Sequence, residues 1–404
     1  MATHYMSFNF DQEISREHTD ALKYDGRAAY FGTQNVQPMW VADMDFAAPP
    51  DVTAALLARA AHPIYGYSVY PDSLYVALQH WLKNRHKFEV PRDDIMLVAG
   101  VVPSLFASVQ AFSNKGDAVI VQPPVYAPFF SAVTTAQRVV LENPLRLKAG
   151  RYEIDFDHLE QCAAQAKMLL LCSPHNPVGR VWAEAELREI LRITRRHNVL
   201  VVSDEIHADL IYAGARHTML AKLASDSDQI ITAVAPSKTF NLPGLGLSAL
   251  IVTNSNHRAA LQKVFDSLHL GSVNPFSAVA FEAAYREGGE WLECLLEYLA
   301  GNRDCVREFL QRHLPKIKLI EPEGSYLLWL DCRDLNLSDA ALRDFFVQQA
   351  QLGMNAGISF GEGGRGFMRL NIAAPRAKIA AALQRVQAAF FSGNFEFPTE
   401  GSRN

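Results

Sequence analysis

Between Ile95 and Val252 the chain alternates short β-branched and aliphatic runs with stretches of helical apolar spacing. Seven runs read as strands: 95–98, 118–121, 138–141, 168–171, 199–202, 230–234 and 248–252. Strands separated by helices in this way predict a mostly parallel, doubly wound sheet. Before this block, helical spacing covers 51–61 and 72–86, whereas residues up to Pro50 show turn signals and little periodicity. After Val252 helices take over, near 256–268, 278–287 and 289–314, the last long enough to bridge two domains. A smaller α/β segment follows, with strands near 325–330 and 367–371 around a helix at 339–352. The pattern predicts an arm with part of a small domain (1–50), a large domain (51–288), a small C-terminal domain (289–392) and a tail (393–404).

Composition narrows the class. A chain of 404 residues can bury a large core, and a net charge of -5 is too small to point to nucleic acid or an anionic membrane. No run of eighteen apolar residues occurs, and Met1-Ala2-Thr3-His4-Tyr5 lacks the basic-then-apolar order of a signal peptide. The five cysteines are odd in number and lack metal-type spacing, which predicts reduced, packed thiols in a cytoplasmic protein and no bound metal.

In a doubly wound sheet, ligands bind beyond the carboxyl ends of the strands. The first such end, Ala99-Gly100-Val101-Val102-Pro103, turns into a helix N-terminus that suits a phosphate, or is an ordinary strand–helix turn. The second carries Tyr126 on a proline-stiffened turn, either core or a flat ring for stacking on a planar ligand. Ser173-Pro174-His175-Asn176-Pro177 is a constrained turn that fixes the Asn176 amide. Ser203-Asp204-Glu205-Ile206-His207 puts acids at the end of an apolar strand, where they cap, are solvated, or pair with a buried cation. Ala235-Pro236-Ser237-Lys238-Thr239 places a lysine after the sixth strand. There it is either a surface charge or, once desolvated, a nucleophilic amine. Arg369 interrupts an apolar strand, facing solvent or reaching across a cleft to a carboxylate. The aromatic and acidic cluster Met39 to Phe46, which includes Asp45, packs on the body or lines a cleft, and Tyr67 lies in a glycine-containing loop.

Taken in order, these motifs resemble pyridoxal-phosphate enzymes of fold type I, the aminotransferase-like family, over about residues 10–390. The local wording is most similar to the cystathionine β-lyase (C–S lyase) branch. The matching stretches are Asp43-Met44-Asp45-Phe46, Gly66-Tyr67-Ser68, Gly100-Val101-Val102-Pro103, Cys172-Ser173-Pro174-His175-Asn176-Pro177, Ser203-Asp204-Glu205-Ile206-His207, Ser237-Lys238-Thr239-Phe240-Asn241 and Gly364-Arg365-Gly366-Phe367-Met368-Arg369-Leu370-Asn371. The resemblance implies an α/β fold with a large domain on a mostly parallel sheet and a smaller α/β domain. It implies that Lys238 carries pyridoxal 5'-phosphate and moves the substrate proton, that Asp204 pairs with the pyridinium nitrogen, and that Asn176 bonds the ring's O3′. Tyr126 would stack on the ring, while Gly100, Val101, Val102 and Ser237 would hold the phosphate. Tyr67 would reach that phosphate from the second subunit of a homodimer. Arg369, with Asp45 and Tyr67 nearby, would bind the amino-acid substrate.

This sequence departs from the family at three places. Many aminotransferases have a serine and an arginine on the phosphate where this chain has Ala235 and Gly246. Where they have a tyrosine three residues after the aspartate, this chain has His207. The resemblance thus implies β-elimination on L-cystathionine or a related cysteine S-conjugate. An aminotransferase on the same scaffold and a cofactor-containing regulator that binds a transcription factor stand as alternatives.

Overall fold

The computed structural model describes residues 8–271 and 273–392; the expected tail at 393–404 lies outside them. Seven strands form the larger sheet: β1 (Ile95–Val98), β2 (Ala118–Val121), β3 (Val139–Glu142), β4 (Ala166–Cys172), β5 (Leu200–Asp204), β6 (Ile230–Val234) and β7 (Ser248–Ile251). Their spatial order is β1-β7-β6-β5-β4-β2-β3. Only β7 runs against its neighbours. A second sheet of four strands holds β8 (Lys318–Ile320), β9 (Leu327–Asp331), β10 (Asn355–Ala356) and β11 (Phe367–Asn371).

The period-two alternation along each strand builds two cores, one on each face of the larger sheet. Val119, Val121, Met168, Leu170 and Val202 face one side, against Leu105, Val109, Phe129 and Leu261. Ile120, Leu169, Leu171 and Val201 face the other, against Leu159, Leu187, Ile190 and Leu191. Both faces of the central strands are covered, which is why these strands read as unbroken apolar runs.

The helices that matter for the site are α1 (Pro50–Ala61), α2 (Asp72–Trp81), α3 (Val101–Phe112), α4 (Glu184–Arg196), the single turn α5 (Pro236–Thr239) and the long α6 (Gly289–His313). Two expectations need correction. The helix expected at 72–86 is α-helical only to Trp81 and continues as a π turn, Leu82–His86. The helix expected at 339–352 is Asp339–Asp344 followed by a second π turn, and Leu352–Gly353 is a short strand. Apolar spacing reports which face is buried and cannot see one extra residue in a turn. The N-terminal segment also holds two short helices, Leu22–Asp25 and Arg27–Phe31, too brief to leave a periodic signal. No helix among the described residues is long and apolar enough to cross a membrane. All five cysteines are free, and Cys162, Cys172 and Cys332 are buried.

Candidate active site

The carboxyl ends of β1, β2, β4, β5 and β6 converge on one cavity of about 250 Å³. Its walls include Gly100, Val101, Val102, Tyr126, Asn176, Asp204, His207, Ser237 and Lys238, which the sequence brought forward separately. They also include Ala42, Cys172 and Ser248, which it did not single out.

Lys238 is carried into the cavity by α5. Its Nζ donates to the Ala42 carbonyl at 2.7 Å. Burial, helped by the charge of Arg369, pulls its ammonium down to about 8. Asp204 ends β5 and is 6% exposed. Burial pushes its carboxyl up to about 7, against the Ile206 N–H that bonds it at 3.1 Å. Two oppositely charged groups, each driven toward neutrality by burial, share one pocket. That is the setting of a functional site more than of a structural ion pair.

At the other end of the cavity β1 passes through Gly100 into α3. Gly100 has φ +148°, and a Cβ there would sit 3.3 Å from Pro103 Cδ. The first intrahelical bond runs from Ser104 N–H to the Gly100 carbonyl. This leaves the Val101 and Val102 N–H groups without helical acceptors and Pro103 with none to offer. The helix end therefore presents two free donors and a positive dipole. Lys238 is the only Lys or Arg among the described residues that line the cavity. Ala235 and Gly246 line the cavity where a serine and an arginine were absent from the sequence. An anion here would rest on backbone N–H groups and the Ser237 hydroxyl.

Arg369 stands on β11 and is 4% exposed, so it is no surface residue. Its Nη1 donates to Asn176 Oδ1 at 3.1 Å, and its Nη2 donates to the Trp40 carbonyl at 3.0 Å and to Asn355 Oδ1 at 2.8 Å. Its Nε is buried without a partner. Burial pulls the guanidinium down to about 10. An unpaired buried N–H beside the cavity is a donor awaiting an acceptor, as a substrate carboxylate would be.

His207 is buried, its Nδ1 3.3 Å from Ser325 Oγ, and burial next to Lys238 and Arg369 pulls its imidazolium down to about 3. It is a neutral ring at physiological pH. Tyr126 lines the cavity with 37% of its surface exposed, and partial desolvation raises its phenol.

The segment Trp40–Phe46 is both a packed arm and a cavity wall. Trp40 and Phe46 are buried, and the Ala42 carbonyl accepts from Lys238 and, at 3.0 Å, from the Tyr326 hydroxyl. Asn371 and Asn241 hold the rest of its backbone. Tyr326, Asn241, Asn355 and Asn371 escaped the sequence reading because each acts on a segment distant in sequence. The one signal for them was their place in or beside the motifs around Lys238 and Arg369.

Asp45 lies elsewhere. Its carboxylate is buried among Lys23 at 3.0 Å, Arg16 at 2.9 Å and Tyr24 at 2.8 Å, and it is not among the residues lining the cavity. It anchors the arm. Tyr67 is 105% exposed and meets no part of its own chain's cavity.

The sequence matches the family described as aminotransferase class I and II over residues 40–386. Cystathionine beta-lyase PatB of Bacillus subtilis is 42% identical over 94% of this chain and 99% of its own length. Protein MalY of Escherichia coli is 32% identical over 92% of this chain and 96% of its own. Among solved structures, cystalysin from Treponema denticola, which contains a pyridoxal 5'-phosphate cofactor, has a TM-score of 0.93. It is 37% identical and covers 96% of this chain and 100% of its own.

Proposed function

Because the chain belongs to the aminotransferase class I and II family, we propose that it is a pyridoxal-phosphate-dependent carbon–sulfur lyase. It would cleave L-cystathionine or a related cysteine S-conjugate to a thiol, pyruvate and ammonia. The observation that carries this reading is the presence of Lys238 and Asp204, with opposite pKa displacements, in the walls of one cavity. The likeness to a cystathionine beta-lyase along nearly the whole chain supports it.

The residues present fit the cofactor. Asp204, buried and short of partners, suits a pyridinium N–H, and the free N–H groups opening α3, with Ser237, suit its phosphate. Asn176 would bond the ring's O3′, Tyr126 would cover its face, and His207 would offer a neutral edge contact. When bound, the cofactor draws electrons away from the substrate's Cα. Lys238 would be its attachment point. With its ammonium pulled down to about 8, Lys238 Nζ carries an uncharged fraction of roughly a tenth near pH 7, and that form would take the Cα proton. The departing group is then the thiolate on Cβ. Arg369 holds the substrate carboxylate through its unpaired Nε.

The same proposal includes a large cofactor-binding domain at 51–288, a small domain at 289–392, and a homodimer in which Tyr67 serves the partner's cavity. A cytoplasmic location belongs to it as well, since five free thiols suit a reducing compartment. A panel of cysteine S-conjugates scored for thiol and pyruvate, without a keto-acid acceptor, tests the reaction. Thiol release is expected. Turnover only with an acceptor would instead make the chain an aminotransferase.

A further inference from the structure

The turn that carries Lys238 cannot hold its own shape. α5 is four residues long, and its N-cap residue Ala235 makes no side-chain bond. A single turn is an unfavourable nucleus by itself, so neighbours must impose the position of Lys238. The arm does so on one side, through Asn241. On the other, Thr239, fully buried and next to Lys238 in the chain, donates from Oγ1 to Asp209 Oδ2 at 2.9 Å.

Asp209 is a buried carboxylate outside the cavity, two residues beyond His207. Its Oδ1 accepts from Trp81 Nε1 at 3.0 Å and lies 2.8 Å from His86 Nε2 and 3.4 Å from Arg85 Nε. All three partners come from the end of α2 and the π turn Leu82–His86. In a regular helix Trp81 and Arg85 share a face and His86 falls away from it. The extra residue in a π turn swings His86 back over Trp81, so one carboxylate meets all three. Burial alone would raise the Asp209 carboxyl, but His86, Arg85 and Thr239 hold it below the usual carboxylate range.

A matching arrangement stands beside Asp204. Its chain neighbour Glu205 accepts from Ser203 Oγ at 2.9 Å and Leu220 N–H at 3.1 Å, and lies 2.7 Å from His217 Nε2. The His217 and His86 rings meet edge to face, with centroids 5.8 Å apart. The two acids that flank the reacting residues are thus tied to histidines that touch each other.

We propose that Asp209 is a positioning residue that fixes Lys238 relative to Asp204, acting through the Thr239 hydroxyl and braced by His86 against the Glu205–His217 pair. This rests on Lys238 being the cofactor lysine. Packing alone would make Thr239 a contributor to stability; positioning makes it a contributor to the proton transfer at Nζ.

The test uses the loaded full-length protein and three readouts: kcat against KM, the pH midpoint of the bound cofactor's absorbance, and the melting midpoint. Thr239→Val keeps the side-chain shape and removes the hydroxyl. It is expected to lower kcat roughly tenfold with KM within about twofold, because misplacement costs the reacting geometry and not binding. It is also expected to shift the absorbance midpoint. Thr239→Ser, which keeps the hydroxyl, should restore both. Ile190→Val, a buried change on α4, should lower only the melting midpoint. Should Thr239→Val not fold, Asp209→Asn carries the same expectation. A native kcat and absorbance midpoint in the valine variant, or the same shifts in Ile190→Val, would overturn the proposal. If the native protein shows no absorbance that Lys238→Ala removes, the reading of Lys238 fails instead.

Discussion

At the scale of single residues, the site is a set of titratable groups that burial pushes toward their neutral forms. Asp204 illustrates what this costs the chain without its cofactor. Its carboxyl is raised from 3.8 to about 7 in the folded chain. Folding stability from this group is therefore fully present below about pH 4 and lost as pH rises to about 7, on the order of 2–4 kcal/mol. Lys238 acts in the opposite sense, lowered from 10.5 to about 8. Its penalty applies below about pH 8 and is relieved as pH rises toward 10. In the cofactor-free protein Asp204 alone thus favours pH 5 over pH 7, while the buried neutral rings of His207 and His175, pulled down to about 3 and about 4, favour pH 7. Asp204→Asn removes only the first effect, so its urea midpoint should gain on the native one as pH rises from 5 to 7; a constant difference between the two proteins would count against a raised Asp204. Lys238, Asp204 and Asn176 were legible in the sequence because each follows an apolar strand. Asp45 was less so, since an acid beside aromatics reads alike in a cavity wall and in the buried cluster with Lys23 and Arg16.

At the scale of elements, the larger sheet was readable and the connections less so. β1, β2 and β6 fall where the apolar runs put them, because strands packed on both faces leave few polar positions to blur their limits, and β11 does so although Arg369 and Asn371 lie in it. The π turn after Trp81 left no such trace, although it supplies two partners of Asp209. The arm at Trp40–Phe46 has no periodicity to read either, because side chains from other segments fix its backbone. Asn241 is the plainest case. It takes φ +58°, accepts from the Met44 N–H at 2.9 Å, and donates to the carbonyls of Met44 at 3.1 Å and Phe46 at 2.8 Å. Asn241→Ala loses all three bonds and meets an unfavourable left-handed backbone, for a cost of about 2–4 kcal/mol. Urea unfolding should show it. Because the arm supplies the carbonyl that Lys238 bonds, kcat should fall as well, whereas a stable and fully active variant would mean the arm is held elsewhere.

At the scale of the whole molecule, the single chain leaves its site unfinished in one respect. Among the described residues lining it, its anion-holding end has free N–H groups and a hydroxyl but no Lys or Arg side chain apart from Lys238. Meanwhile the loop beyond α1 displays Ile64, Tyr65, Tyr67 and Val69 to solvent, apolar surface that a folded monomer has little reason to expose. A two-fold dimer answers both facts if Tyr67 enters the partner's cavity, and it makes a prediction that no monomeric arrangement shares. Lys238→Ala and Tyr67→Ala homodimers should each be poorly active, the first nearly inert. Mixed and allowed to exchange, random pairing puts half the dimers in the hybrid form, and each hybrid has one cavity with both residues intact. Activity should then recover to about a quarter of the native value. Thiol release measured over the course of subunit exchange would follow it. Recovery that never exceeds the average of the two parents would show that Lys238 and Tyr67 belong to the same chain's site, or that Tyr67 belongs to neither.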